Sequence, residues 1–250
     1  MGYIENPKTK GSGIICCIPQ STRCPLNCED CFFQSGRSYL EPLEDHLPNM
    51  PTLTESINKV VRVNDGNDSN VDKETVLNST INYPMKFYNT SIPQLDDFNA
   101  PVVLTVNPGI QTDHHADLLS KIPDNLMFIR VRTNTWNIDL VDRVVNYYTY
   151  CTPLTSTFHV PVILTFMAYH KIDSIPLDHR INYIHRKRTM NSYFAITTNV
   201  WRNVMDRYRI NEYVYSCGKI EGEFGDTHCT RCGNCLREYF NTIERMKNGK

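Results

Sequence analysis

The sequence carries no excess of charge of either sign: 26 Lys and Arg stand against 27 Asp and Glu, a net charge of −1 and a pI of about 6.7. That balance excludes a histone-like or tail-driven polyanion binder and leaves a local basic patch as the route to nucleic acid. No apolar run approaches the roughly 20 residues that span a bilayer. The opening stretch MGYIENPKTKGSG lacks an apolar signal-peptide core, and Asn6 stands where the myristoylation pattern needs Ser or Thr. A cytoplasmic protein with no membrane partner is therefore expected. Also missing are a glycine-rich phosphate loop, an internal repeat, a low-complexity tract and any arguable Ser-His-Asp set. What the chain does have is 40% hydrophobic and 10% aromatic residues, enough for a packed core.

Six short β-branched or aromatic segments stand out, at 13–19, 86–92, 101–107, 127–134, 160–167 and 192–198. Several are apolar almost throughout, as parallel strands covered on both faces are. Helical patterns lie between them. Thr52 and Glu55 form a capping box ahead of Ile57, Val60 and Val61, which predicts a helix there. Asn137 precedes Leu140, Val141, Val144, Val145 and Tyr148 at helical spacing, and Val200, Trp201, Val204, Met205 and Tyr208 follow the sixth segment in the same way. The Asn- and Asp-rich stretch 64–82 reads as a loop leading into a short helix. Strand–helix units in series predict an α/β fold, an incomplete parallel (β/α)6 TIM-like barrel over residues 1–210. Sites of such folds gather at the carboxyl ends of the strands. Residues 211–250 are predicted to form a small cysteine-rich, metal-binding extension, its last helix docking through Leu236, Phe240, Ile243 and Met246.

The ten cysteines are uneven: Cys16, Cys17, Cys24, Cys28 and Cys31 fall early, Cys151 stands alone, and Cys217, Cys229, Cys232 and Cys235 fall late. In a cytosolic chain such clusters point to metal ligands rather than disulfides. Cys16 and Cys17, inside the first strand, read as buried small apolar residues. Cys24, Cys28 and Cys31 stand in CPLNCEDC, a C-x3-C-x2-C loop directly after that strand. Three thiolates from one loop can each hold one iron of a four-iron cluster and leave the fourth without a protein ligand. Zinc would want a fourth ligand close by, and the nearest, His46, is fifteen residues past Cys31. The later set, C-x11-C-x2-C-x2-C, suits either a second iron–sulfur cluster or a tetrahedral zinc site.

The C-x3-C-x2-C loop after the first strand, Phe32 behind it and the series of strand–helix units resemble the radical S-adenosylmethionine (radical AdoMet) superfamily, over about residues 11–210. The resemblance implies a [4Fe–4S] cluster on Cys24, Cys28 and Cys31 whose open iron binds S-adenosyl-L-methionine. It also implies an external electron donor, flavodoxin or ferredoxin-like, and cleavage of the cofactor to methionine and a 5′-deoxyadenosyl radical that abstracts a substrate hydrogen. By the same resemblance the cofactor contacts fall on Phe32, on Asn89, Thr90 and Ser91, on Asn107, and on Arg132 and Thr133. An auxiliary cluster C-terminal to the barrel is common in that family, which favours iron over zinc at Cys217, Cys229, Cys232 and Cys235.

The chain departs from the family pattern in having Asp30 where an aromatic usually precedes the third cysteine, and in lacking a glycine pair after the 86–92 strand. For the substrate, one feature speaks. Between His179 and Arg209 seven Lys or Arg stand against Asp206 alone, with Tyr183, Tyr193 and Trp201 interleaved, a pattern that suits phosphates and stacked bases as well as a solvated face. Modification of a nucleic acid or nucleotide is the first reading. The alternatives are modification or activation of a peptide or protein, and a non-enzymatic iron–sulfur or zinc protein that binds nucleic acid on the same barrel.

Overall fold

Short β-branched runs satisfy their backbone groups by pairing, and seven strands of this chain do so side by side. The computed structural model describes residues 2–28, 31, 33, 38–107, 122–150, 159–187, 192–217 and 229–248. Strands β1 (Ile14–Cys17), β2 (Val60–Val63), β3 (Lys86–Thr90), β4 (Val102–Val106), β5 (Leu126–Thr133) and β6 (Val162–Phe166) lie next to one another in chain order. The chain then leaves for β7 (Ala168–Tyr169), β8 (Tyr183–Arg186) and β9 (Tyr193–Ile196), a separate antiparallel sheet of order β7-β9-β8. It returns with β10 (Val214–Ser216), which pairs with β6. All pairings in the large sheet are parallel, and the sheet curls into an open half-barrel.

The helices are α1 (Leu43–His46), α2 (Lys73–Thr80), α3 (Ile138–Val145), α4 (Thr198–Asp206), α5 (Cys229–Cys232) and α6 (Asn234–Asn248). Alternation along each strand sends residues to opposite faces. Ile15, Val61, Tyr88, Leu104, Ile129, Val131, Val162 and Leu164 form the outer face, against Val76 of α2, Val141, Val144 and Val145 of α3, and Val204 of α4. The inner face starts from Val60, Phe87, Val103, Phe128 and Ile163, and what covers it is α6, through Tyr239 with Cys235, Leu236 and Ile243. The C-terminal helix thus lies in the hollow of the half-barrel. No helix among the described residues is long and apolar enough to cross a membrane.

Three expectations change. The capping box does close, since the Thr52 amide and hydroxyl donate to Glu55 Oε2 at 2.7 and 2.8 Å and the Glu55 amide donates to Thr52 Oγ1 at 3.2 Å. No helix follows it. The turn ends at Asn58, with φ of 59°, and the β-branched Val60–Val63 run becomes β2, paired between β1 and β3. With β2 and β10 gained and the 192–198 segment lost to the small sheet, the parallel sheet has seven strands rather than six. The 192–198 segment supplies β9 of the small sheet instead of a barrel strand. Its side chains are mostly half-buried, which suits an antiparallel sheet with one wet face. Finally, the inward position expected of Phe240 is taken by Tyr239, and Phe240 is 55% exposed. The helix after 192–198 forms as expected: Thr197 Oγ1 accepts from the Val200 amide at 3.3 Å.

Candidate cofactor site at the carboxyl edge of the sheet

The loop carrying the first three cysteines leaves β1 through Ile18, which exchanges backbone hydrogen bonds with Asn49, both at 2.9 Å. Gln20, buried, donates through Nε2 to the carbonyls of Asp68 and Val71. These contacts pin the base of the loop while Cys24, Cys28 and Cys31 stay half-buried. The Cys31 amide donates to the Cys28 carbonyl at 3.1 Å. Burial pushes the Cys24 thiol up to about 11, with Asp68, Cys28 and Cys31 adding to the shift. Burial also raises Cys28, followed by the influence of Cys31, while Arg132 acts in the opposite sense. The three thiols thus share one electrostatic neighbourhood with Asp68 and Arg132. Metal binding takes thiolates, so it would release protons that burial now retains.

Asp68 organises the adjacent wall. Its Oδ1 accepts from Thr90 Oγ1 at 2.7 Å and the Asn70 amide at 2.9 Å, and its Oδ2 accepts from the Ser91 amide and hydroxyl at 2.6 and 2.8 Å. Four donors hold a carboxylate that is 4% exposed. The hydroxyls of Thr90 and Ser91 are therefore engaged with Asp68. Asn89 faces inward, donating to the Val63 carbonyl at 2.8 Å and accepting from Arg130 Nη1 at 3.0 Å.

Strand register brings the remaining inner positions together. Thr105 lies opposite Arg130, and Arg132 opposite Thr165, so Asn107, Arg132 and Thr165 form one row at the carboxyl edge of β4, β5 and β6. Asn107 Oδ1, Arg132 Nε and Thr165 Oγ1 are buried and have no hydrogen-bond partner among the described residues. Among the described residues Arg132 Nη1 reaches Met167 Sδ alone, at 3.9 Å. A row with one unused acceptor and two unused donor-capable groups is complementary to a ligand carrying both polarities. Thr133, by contrast, shares the outward register of Val131 and donates to that residue's carbonyl at 3.2 Å. Phe32 and Asp30 lie outside the described residues, as do Cys151, His114 and His115.

Of the later cysteines, Cys217 is exposed, and Cys229, Cys232 and Cys235 are half-buried. The Cys217 amide donates to the Leu164 carbonyl at 2.8 Å, and the Cys229 amide to the Lys8 carbonyl at 3.0 Å. Cys235 packs with Leu236 on the inner core. Burial pushes Cys229 up to about 12, with Arg62 opposing, and also raises Cys235, with Arg130 and Arg62 opposing. Among the described residues no three His, Cys, Asp or Glu side chains stand in a group ready to hold a metal ion, so neither set is drawn to ligating distance. Both sets nonetheless have the donor chemistry of their expected groups: three thiols beside an unused polar row, and four thiols of which Cys229 and Cys235 are near Arg62, and Cys217 and Cys235 near Arg130.

Sequence reasoning missed Asp68, Arg62 and Thr165. Asp68 sits in the stretch read as loop, and the other two gain meaning only once β2 and β6 are registered against their neighbours. The basic segment also looks different in three dimensions. Arg180 pairs with Asp173 at 3.0 Å, and Arg207 pairs with Asp142. Tyr183 is buried in the small sheet's core, and the Trp201 indole N–H donates to Ser216 Oγ at 2.9 Å. Lys187, Arg202 and Arg209 are exposed. No protein-family model, curated protein or solved structure matches this chain.

Proposed function

We propose that this chain is a radical AdoMet enzyme in which Cys24, Cys28 and Cys31 hold a [4Fe–4S] cluster and S-adenosyl-L-methionine lies across the carboxyl ends of β3, β4 and β5. One observation carries the reading. Three thiols of a single loop share their surroundings with an unpartnered donor and acceptor, Arg132 Nε and Asn107 Oδ1, at the open edge of a parallel half-barrel. The methionyl end of the cofactor is a zwitterion. A guanidinium for its carboxylate and an amide oxygen for its ammonium group, side by side, suit it.

Held by Cys24, Cys28 and Cys31 and reduced by a flavodoxin- or ferredoxin-like donor, a [4Fe–4S] cluster would supply one-electron reducing chemistry for cleavage of S-adenosyl-L-methionine to methionine and a 5′-deoxyadenosyl radical. The protein's own contribution is positioning. Arg132 and Asn107 orient the methionyl group, and Asp68 fixes Thr90 and Ser91 along the β3 edge through its four hydrogen bonds. Tyr239 and Leu236 of α6 fill the lower hollow and keep water from it. No side chain is assigned as a general acid or base.

Arg132→Ala is expected to weaken binding of the cofactor roughly 10- to 100-fold, the loss of a charge-assisted hydrogen bond, while iron content stays unchanged. Calorimetry on anaerobically reconstituted protein measures it. Wild-type, cluster-loaded protein that binds no S-adenosyl-L-methionine would leave the non-enzymatic binder as the surviving reading.

For the substrate we propose a nucleic acid or nucleotide, supported by the exposed cations Lys187, Arg202 and Arg209. Because Tyr183 is buried and the Trp201 indole is engaged, contact falls on phosphates more than on stacked bases. Retention of short RNA or DNA on the protein is expected to fall steeply as salt rises, with little dependence on sequence. Salt-independent retention, or binding to peptides alone, would shift the reading to a peptide-modifying enzyme.

A further inference from the structure

The inner face of the half-barrel presents three guanidinium groups, and among the described residues one of them, Arg62, has a carboxylate partner: Asp65 at 2.8 Å. Arg130 meets two neutral groups among the described residues, Asn89 Oδ1 at 3.0 Å and the face of the Phe128 ring, 5.6 Å from its centroid. By register Arg130 lies beside Thr105 on β4 and Ile163 on β6. On β6, Ile163 is paired in turn with Tyr215 of β10, so Cys217 follows two residues later with the same inward parity. From below, α6 lays Cys235 and Leu236 against the core formed by Phe128 and Ile163. Cys229 is anchored from the N-terminal side by the Lys8 carbonyl. The segments carrying the later cysteines therefore close around the strand that carries Arg130.

Charge then becomes the deciding quantity. Four thiolates around a zinc ion, or around an oxidised four-iron cluster, carry two net negative charges. Cys217 is exposed and Cys229, Cys232 and Cys235 are half-buried, and placing such a dianion at the side of a hollow floored by Phe128, Ile163 and Tyr239 is unfavourable unless a cation shares the space. Arg62 is already neutralised by Asp65. We infer that Arg130 is the countercharge of the second thiol site, a positioning residue that sets how tightly Cys217, Cys229, Cys232 and Cys235 hold their metal. The inference rests on the reading of those four cysteines as one metal site. The electrostatics agree with it. Burial and the nearby Arg62 draw the Arg130 guanidinium down to about 10, with Cys235 and Cys217 acting to restore it.

The test uses the full chain with Cys24→Ala, Cys28→Ala and Cys31→Ala, purified anaerobically, so that any metal counted belongs to the second set. Zinc and iron are quantified by mass spectrometry while a chelator is titrated in. Arg130→Gln in this background is expected to lose its metal at about 10- to 100-fold lower chelator, the size of effect that outer-shell partners of metal ligands have. Arg130→Lys, which keeps the charge, is expected to retain most of it. If the metal is iron, the reduction potential is expected to fall in Arg130→Gln and to stay near the parent value in Arg130→Lys, a split that a purely structural role would not produce. Should Arg130→Gln fail to fold, Asn89→Asp neutralises the same guanidinium without removing it, and is expected to weaken retention likewise. Equal retention by the parent and the charge-neutralised variant overturns the inference and leaves the four-cysteine site standing. A parent that holds neither metal removes the site and the inference together.

Discussion

The chain with Cys24→Ala, Cys28→Ala and Cys31→Ala is expected to lose about four iron atoms and all production of 5′-deoxyadenosine. No other described group is placed to substitute. The Asp68 carboxylate is saturated by Thr90, Ser91 and Asn70, and the nearby polar row of Asn107, Arg132 and Thr165 contains no metal-ligating thiol, imidazole or carboxylate. The fold should survive. The loop base is held by the Ile18–Asn49 exchange and by Gln20, none of which involves a thiol, and the three thiols are only half-buried. Metal-free stability should therefore change by about 1 kcal/mol or less. Iron and zinc analysis with product chromatography decides the matter. Iron content unchanged from wild type would remove the cluster from this loop. One zinc per chain lost on mutation, with no iron, would turn it into a structural metal site.

Tyr239→Ala is expected to cost about 3–5 kcal/mol, and Phe240→Ala about 0.5 kcal/mol or less. The two aromatics are adjacent in sequence but differ in surroundings. Tyr239 is 4% exposed and lies among Val60, Phe87, Val103, Met127, Phe128 and Ile163, its ring centroid 6.5 Å from that of Phe87. Phe240 is 55% exposed. Removing the Tyr239 ring leaves a cavity at the centre of the inner face, where the sheet cannot collapse because its hydrogen-bonded register holds it open. The loss should appear in urea unfolding and as protease cleavage within 229–248, since α6 is held to the sheet chiefly by this face. Arg245, which donates to the carbonyls of Asp124 and Leu126, and Asn234, which donates to the Ser216 carbonyl at 3.2 Å, cannot replace it. Similar losses from both substitutions would mean that α6 does not occupy the hollow.

Local chemistry was enough for the regular part of this protein. Five of the six β-branched segments became strands of the one parallel sheet, because runs buried on both faces need no knowledge of their partners to be recognised. The helices after Asn137 and Thr197 were legible from apolar spacing. Tertiary pairing decided the rest. Val60–Val63 follows a capping box that does form, yet becomes a strand because open edges of β1 and β3 flank it. Val214–Ser216 is too short to signal itself and exists as a strand because β6 offers it an edge. Arg62, Arg130, Arg132 and Asp68 are ordinary residues in sequence. The three arginines come to share the inner face only when strands separated by tens of residues are brought into register. Which way Tyr239 and Phe240 face was likewise settled by the hollow that α6 enters, because a helix turns its larger buried face toward whatever apolar surface the rest of the chain has left uncovered.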